Sequence, residues 1–409
     1  MIPPEWRIWV ESGALFPGGP HTWHVIDWDQ RRWFAVTGSE QALPDEDEAT
    51  NVMQKLIDSL GPEVSSFEIS DDGTILSTSS DPEKDVTQAV LYPHYPGYLD
   101  ETETLTRSQL QEIDRLGPCA DLVCHREKLD GSEKPEKSKL AVFKYPLIWQ
   151  HRQKVWDELH IIKGLRAHPF VVPFDRIILD DVEKRVLGFT TAFVPGGDLE
   201  HNPSRPFRFS WLEQLTSVID DLNLKYGIMH HDVAPRNLLI DPTTNTLKLF
   251  DFDRAAKIGT VSKTHNQNDV DGVIFTLYEI LTLDHQYRDI PFWEQDVTKV
   301  EKLREWPVKA AVEDGSGGIP AFRRYLDQWA ENRRTVRTIE HYTEATDPLD
   351  WPGEPPGTPW KYFAYRNDDG TPVYEVGVRM ERRIDARKRG RYVVDWERPA
   401  QKDLPQQSK

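Results

Sequence analysis

The chain is poor in cysteine, with only Cys119 and Cys124. Two close cysteines cannot staple a fold through a disulfide framework. No second Cys/His pair accompanies them at zinc-site spacing, so neither kind of cross-link is expected. Long apolar runs are missing as well. None approaches the ~18 residues of a membrane helix. The opening Met1-Ile2-Pro3-Pro4-Glu5-Trp6 has no basic segment leading into an apolar stretch of the kind that marks a secretory signal. Basic charge is in deficit: 50 Lys and Arg against 68 Asp and Glu leave a net charge of −18. That balance argues against general binding to nucleic acid or to an anionic membrane. The expected location is cytoplasmic, with the nucleus as the other option. What the chain does have is bulk. Its 409 residues are 38% hydrophobic and include 14 Trp, enough to bury a large core and exclude wholesale disorder.

The pattern along the chain divides it into three parts: an accessory α+β unit over residues 1–108, a domain over 109–334 (split at 192/193), and an extension over 335–409. In the first part, Trp6 to Val10, Val25 to Trp28 and Trp33 to Thr37 read as strands. Asn51 to Leu60 reads as a helix stopped by Gly61-Pro62, and residues 67–69 and 75–76 as a hairpin around Asp72-Gly73. The acidic run Asp45-Glu46-Asp47-Glu48 is expected to be a solvated loop. In the second part, Asp121 to Arg126 and Lys139 to Lys144 are strand-like around a polar insertion, Asp130 to Ser138. Gln150 to Arg166 carries a helical apolar stripe. Ile177 to Leu179 and Val186 to Val194 read as strands paired around Asp180-Asp181. Ser210 to Tyr226 is the clearest helix, with Ser210 and Glu213 as a capping box and Gly227 at its end. Asp269 to Leu281 is a second apolar helix. The third part offers a Pro-rich stretch, Pro348 to Pro359, possible strands and a basic cluster at Arg382-Arg383 and Arg387-Lys388-Arg389. From Pro399 on, disorder is expected.

The informative passage lies between the two apolar helices. His230-His231-Asp232-Val233-Ala234-Pro235-Arg236-Asn237 is followed by Leu238-Leu239-Ile240, a turn, and Leu249-Phe250-Asp251-Phe252-Asp253. This reads as a loop, a strand, a turn, a second strand and a further Asp. It resembles the H-R-D-x-x-x-x-N and D-F-G motifs of the protein kinase superfamily. Upstream, Ala141-Val142-Phe143-Lys144 is similar to the family's V-A-I-K strand. Glu158, ahead of His168-Pro169-Phe170-Val171-Val172, resembles its helix Glu and the turn that follows. Thr190 to Leu199, with Pro195-Gly196-Gly197 inside it, looks like its hinge.

The resemblance covers about residues 110–330 and implies a two-lobe α+β fold, β-rich then helical, that binds ATP and Mg²⁺. It makes Asp232 the carboxylate that orients an attacking hydroxyl, with Asn237 and Asp251 as metal ligands. Lys144 would meet the phosphates and be held by an ion pair with Glu158. Backbone groups of Ala192 and Val194 would meet adenine, Asp198 the ribose, and Thr191 would be the gatekeeper. His230 and Asp269 would support the loop from beneath.

Four departures from the family pattern stand out. Gly117 is the only glycine where a glycine-rich loop belongs, so close backbone approach to the phosphates is weakened. His231 replaces the Arg that usually receives an activation-loop phosphate, which leaves Thr260, Ser262 and Thr264 without an implied regulatory role. Asp253 replaces the Gly of D-F-G. Asp269 follows Asp251 by only eighteen positions, with no A-P-E motif and thus no peptide platform of the usual kind. Ala234 and Arg236 stand where tyrosine kinases tend to have Ala and Arg, but without the platform this does not set residue specificity. The resemblance implies a phosphotransferase moving the ATP γ-phosphate to a hydroxyl, with protein as the expected acceptor. The alternatives are a nucleotide-binding pseudokinase or a small-molecule kinase of the aminoglycoside or choline kinase type.

Overall fold

A computed structural model describes residues 2–97, 99–125, 139–260, 268–313, 318–353, 359–367, 369–378 and 381–403. Packing gathers the chain into two compact units. The first is Met1–Gln153 with Arg176–Thr190 and Glu354–Lys409; the second is Lys154–Asp175 with Thr191–Gly353.

The first unit opens with one helical turn, α1 (Pro4–Arg7), so the first strand starts two residues later than expected. A five-stranded sheet follows in chain order: β1 (Ile8–Leu15), β2 (Pro20–Asp27), β3 (Arg32–Ser39), β4 (Ser66–Ile69) and β5 (Ile75–Ser79). Val25, Phe34 and Val36 of the sheet share a core with Val52 and Met53 of helix α2 (Glu46–Leu56). The acidic run is not a loop. Asp45 caps α2 by accepting from the Glu48 N–H at 2.9 Å, and residues 46–48 form the first turn. Carboxylates there offset the exposed N–H groups and positive end of the helix dipole, which is why an acidic cluster starts a helix.

A six-stranded sheet has the order β6-β10-β11-β9-β8-β7, built from β6 (Thr104–Thr106), β7 (Leu110–Gly117), β8 (Ala120–His125), β9 (Leu140–Lys144), β10 (Phe174–Leu179) and β11 (Val186–Ala192). The expected insertion Asp130 to Ser138 lies outside the described residues. Gly188 lets β11 run close to the end of β9: a Cβ there would stand 2.0 Å from the Lys144 carbonyl oxygen. Trp28 in the β2–β3 turn, Trp33 of β3, and Phe143, Tyr145 and Leu187 around the second sheet belong to one buried cluster.

Trp396 joins that cluster, stacking on Tyr145 with ring centroids 4.6 Å apart and donating its indole N–H to the Tyr92 hydroxyl. Arg398 then donates to Glu112 at 2.7 Å and Asp121 at 3.0 Å. The buried Arg115 donates to the Pro399 carbonyl and to Asp29. The segment expected to be disordered from Pro399 therefore carries structure as far as it is described, with Ala400 buried and a 3₁₀ turn over Gln401–Asp403. Its polar composition conceals the acids waiting to pair with it.

The second unit takes in α3 (Arg152–Gly164) from Lys154 onward, then β12 (Phe207–Arg208) and α4 (Phe209–Asp220). Arg208, not Ser210, sits at the N-cap of α4 and makes no side-chain cap bond. The apolar register carries the helix two residues further back than the capping-box pattern suggested. After Asp220 the helix widens into a π turn, Asp221–Lys225, and ends at Gly227 with φ 70°. Strand β13 (Ile228–Met229) leads into the loop at His230. Then come the hairpin β14 (Leu238–Asp241) and β15 (Thr246–Leu249), β16 (Ala256–Lys257) paired with β13, and α5 (Asp269–Thr282). Helix α6 (Val297–Glu301), β17 (Val312–Glu313) paired with β12, and α7 (Gly318–Thr335) complete it.

Back in the first unit, β18 (Pro359–Arg366) and β19 (Pro372–Val378) form a hairpin, and α8 (Arg383–Lys388) carries the basic cluster. That cluster is neutralised locally: Arg383 pairs with Asp85 and Glu397, Lys388 with Glu83, and Arg389 with Glu381. No helix among the described residues is long and apolar enough to cross a membrane.

Candidate active site

The second unit holds the loop His230 to Asn237 between β13 and β14, and the β14–β15 hairpin delivers the chain to Asp251. Asp232 is buried, and both its oxygens are engaged. Oδ1 accepts from the Arg236 guanidinium at 2.5 Å, and Oδ2 from Asn237 Nδ2 at 2.9 Å. Asn237 Nδ2 also donates to the Asp232 backbone carbonyl at 2.8 Å. A carboxylate has about four acceptor positions, so each oxygen keeps capacity for a substrate hydroxyl. Because the amide nitrogen of Asn237 faces Asp232, its carbonyl oxygen is turned to the other side of the planar group. The Phe250 N–H donates to the backbone carbonyl of Asn237 at 3.2 Å, which ties the strand end carrying Asp251 to the loop.

The loop is held from beneath by one buried carboxylate at the start of α5. Asp269 Oδ1 accepts from the His231 N–H, and Oδ2 from the His230 N–H and Asn223 Nδ2, each at 2.8 Å. His231 has φ 62° and Asp251 φ 64°, left-handed conformations that non-glycine residues rarely adopt. The Asp269 bonds pin the first. His230 accepts from the Asp232 N–H at Nδ1 (3.3 Å), while its Nε2–H donates to the Phe250 carbonyl (3.0 Å). That pattern makes it the neutral Nε2–H tautomer. Its ring packs edge-on against the buried Phe252, centroids 4.7 Å apart.

Glu158, on α3, is 1% exposed, and its Oε1 accepts from the Phe252 N–H at 3.0 Å. It therefore grips the residue after Asp251. Asp253, one step on, lies 3.6 Å from Lys154. In the hinge-like stretch, the Ala192 N–H donates to the Pro173 carbonyl, and Val194 and Thr191 are buried. Gly196 and Gly197 both have positive φ. The Asp198 carboxylate is engaged by His201, whose ring Nδ1 lies 2.9 Å away and whose imidazolium it favours, so the His201 pKa is raised.

Two candidates lie in the first unit. Lys144 closes β9. Gly117 closes β7 and pairs with Ala120, so the hairpin tip is only Pro118-Cys119, and the Cys119 carbonyl accepts from the Tyr145 N–H at 3.2 Å. Gly117 is extended, and an added Cβ would meet nothing within 4 Å.

Several supporting groups went unseen in the sequence. Arg288, largely buried, donates to Glu279 at 2.7 Å and to the Val233 carbonyl at 2.6 Å, fixing the loop next to Asp232. Burial pushes the Glu279 carboxyl up, and Arg288 draws it back. Arg333 of α7 donates to Asn223 at 2.9 Å and to Asp220 at 2.8 Å, so a buried chain of bonds runs Arg333–Asn223–Asp269 to the loop. The one local signal was Asn223 itself, a polar residue between Leu222 and Leu224 in an apolar stripe.

The fit to Mg²⁺ rests on donor chemistry. Among the described residues no cluster of three or more His, Cys, Asp and Glu exists. One carboxylate (Asp251) and one amide oxygen (Asn237) are the hard donors tied together here. That suits a cation that binds few protein ligands and completes its shell with phosphate and water.

Residues 138–287 match the protein kinase domain family. The serine/threonine-protein kinase nekl-2 of Caenorhabditis elegans is 27% identical over 128 residues, 28% of this chain and 34% of that protein. The chain thus spans about a third of the length of that curated relative. Loop, hairpin and sheet are those of a protein-kinase-like α+β fold. Over residues 138–287 the chain is therefore similar to the protein kinase superfamily.

Proposed function

We propose that the chain is an ATP-dependent phosphotransferase that moves the γ-phosphate to a hydroxyl on a protein acceptor. The observation that carries this reading is the Asp232 environment: a buried carboxylate oriented by Asn237 and Arg236, on a loop tied to the strand end of Asp251. Asp232 accepts the acceptor's O–H and takes its proton as the oxygen attacks phosphorus in line and the bond to the ADP oxygen breaks. Asn237 Oδ1 and Asp251 are the residues that would hold Mg²⁺, which when bound offsets phosphate charge. Lys144 contributes its ammonium to the same end, and Ala192, Val194 and Asp198 are assigned to the nucleoside. Thr191 is assigned as gatekeeper.

A second reading, a nucleotide-binding pseudokinase, is favoured by the two-residue tip Pro118-Cys119, which offers no glycine-rich cradle. One experiment separates the two. Purified chain is assayed for Mg·ATP turnover with mixed protein acceptors, beside Asp232→Asn. The proposed enzyme loses about 10²–10⁴-fold in the variant, the usual worth of a positioned base. Equal rates in the two proteins would overturn phosphotransfer and leave nucleotide binding as the function.

A further inference from the structure

The segment from Glu340 to Pro352 runs across the second unit as a strap. At one end it meets the stretch that follows Asp251. The Tyr342 N–H donates to the Ile258 carbonyl at 2.9 Å, and Lys257 of β16 pairs with Asp350. The Lys257 ammonium also sits 4.5 Å from the Trp351 ring centroid and 5.3 Å from that of Tyr342. Gly259 and Gly227 face it at contact distance: a Cβ on either would fall 2.6–2.7 Å from the Glu340 or Tyr342 carbonyl oxygen.

In its middle the strap uses the π turn. Winding residues 221–225 as a π turn leaves the carbonyls of Leu224, Lys225 and Tyr226 without helical donors. They accept instead from the N–H groups of Thr346 (3.2 Å), Asp347 (2.8 Å) and Leu349 (3.0 Å). At the far end the strap meets α3. The Trp351 indole N–H donates to Asp157 Oδ1 at 2.8 Å, and the Trp156 indole N–H donates to the Pro352 carbonyl at 2.9 Å. Leu349 lies against Gly164 at the end of the same helix. Trp156 and Asp157 are the two residues immediately before Glu158.

We propose that Trp351, with Asp157, is a positioning pair for the phosphotransfer site. It fixes the rotation of α3 so that Glu158 stays bonded to the Phe252 N–H, and so fixes the backbone of Asp251. The same strap holds β16 a few residues further along, so the stretch that follows the proposed metal ligand is tied at two points by one covalent segment. This supplies from within the chain an order that the short segment between Asp251 and Asp269 has little length to supply. The inference rests on the phosphotransfer reading for its catalytic consequence, but not for its structural one.

The test uses the full chain with Trp351→Phe, which keeps the ring and deletes the donor. Asp157→Leu removes the acceptor from the other side, and Asp157→Asn keeps an acceptor oxygen. Hydrogen exchange of a peptide containing Phe252 is read in each. Loss of one hydrogen bond should speed that exchange about fivefold in Trp351→Phe and in Asp157→Leu. The double variant should go no further, and Asp157→Asn should stay near wild type. kcat should fall by a similar factor, with the acceptor KM held. If Trp351→Phe does not fold, Asp157→Leu reads the same bond. Unchanged exchange at Phe252 in the folded variants overturns the proposal, whatever the activity. Faster exchange in a protein whose wild type turns over no ATP upholds the strap and removes the phosphotransfer reading instead.

Discussion

Asp269→Asn is the sharpest test of how the loop from His230 to Asn237 is held. The substitution keeps the side-chain shape and replaces one carboxylate oxygen by an NH₂ group. Both oxygens face buried donors: His231 N–H on one side, His230 N–H and Asn223 Nδ2 on the other. Whichever way the amide turns, one side presents donor to donor. The less costly turn leaves the His231 N–H without its acceptor, which costs about 1–3 kcal/mol. The remaining two bonds lose their charge assistance, about 1 kcal/mol more. The lost bond also held His231 at φ 62°, a conformation costing ~1–3 kcal/mol, so the loop recovers part of the loss by relaxing. The net expectation is a destabilisation of about 3 kcal/mol. It is measured by guanidinium unfolding together with hydrogen exchange of the peptide spanning residues 228–238, which reads the second unit by itself. A loss below about 0.5 kcal/mol, with exchange unchanged at His230 and His231, would refute the claim that this carboxylate holds the loop.

Other consequences follow from burial and spacing. Arg288→Met should destabilise by about 3–5 kcal/mol, because it strands the buried Glu279 and removes the donor to the Val233 carbonyl; thermal unfolding measures it. Gly188→Ala should cost at least about 2 kcal/mol through the clash with the Lys144 carbonyl, whereas Gly117→Ala, with open space around it, should change stability and nucleotide affinity less than about twofold in equilibrium terms; paired denaturation and nucleotide titrations separate them. His160 is pushed down to about 4, mainly by burial and then by Lys163. Its proton is favoured by the unfolded chain between about pH 6.5 and 4, so its contribution is complete above 6.5 and is lost as pH falls through that window. Stability measured from pH 7 to 4 should therefore decline less steeply in His160→Gln, and an unchanged slope would refute the assignment.

The loop, the hairpin and the two flanking helices were legible because their signals are local. Polar residues at fixed short offsets and apolar residues at helical period survive in a single stretch of sequence. The acidic run at 45–48 misled because a charge cluster fits a solvated loop and a helix first turn equally well. Only the apolar partners of Ala49, Val52 and Met53 decide between them. Arg333, Asn223 and Asp269 meet across 110 and 46 residues, separations that leave no periodic trace. The strap and the stretch from Trp396 to Gln401 were hidden for the same reason. Their anchors are single tryptophans, arginines and backbone groups whose partners lie far off in the chain.

The interleaving of the two units has a consequence for biogenesis. Residues 191–353 form most of the second unit and are contiguous, so a nascent chain can close that unit once its strap has emerged. The first unit cannot finish at that point. Trp396 still has to stack on Tyr145, and Arg398 still has to reach Glu112 and Asp121, nearly 300 residues earlier. Vectorial synthesis thus completes the downstream body first and keeps the upstream one open until Trp396 and Arg398 have emerged, so premature termination before Trp396 should yield a product with an assembled His230–Asn237 loop and an unfinished β-sheet core.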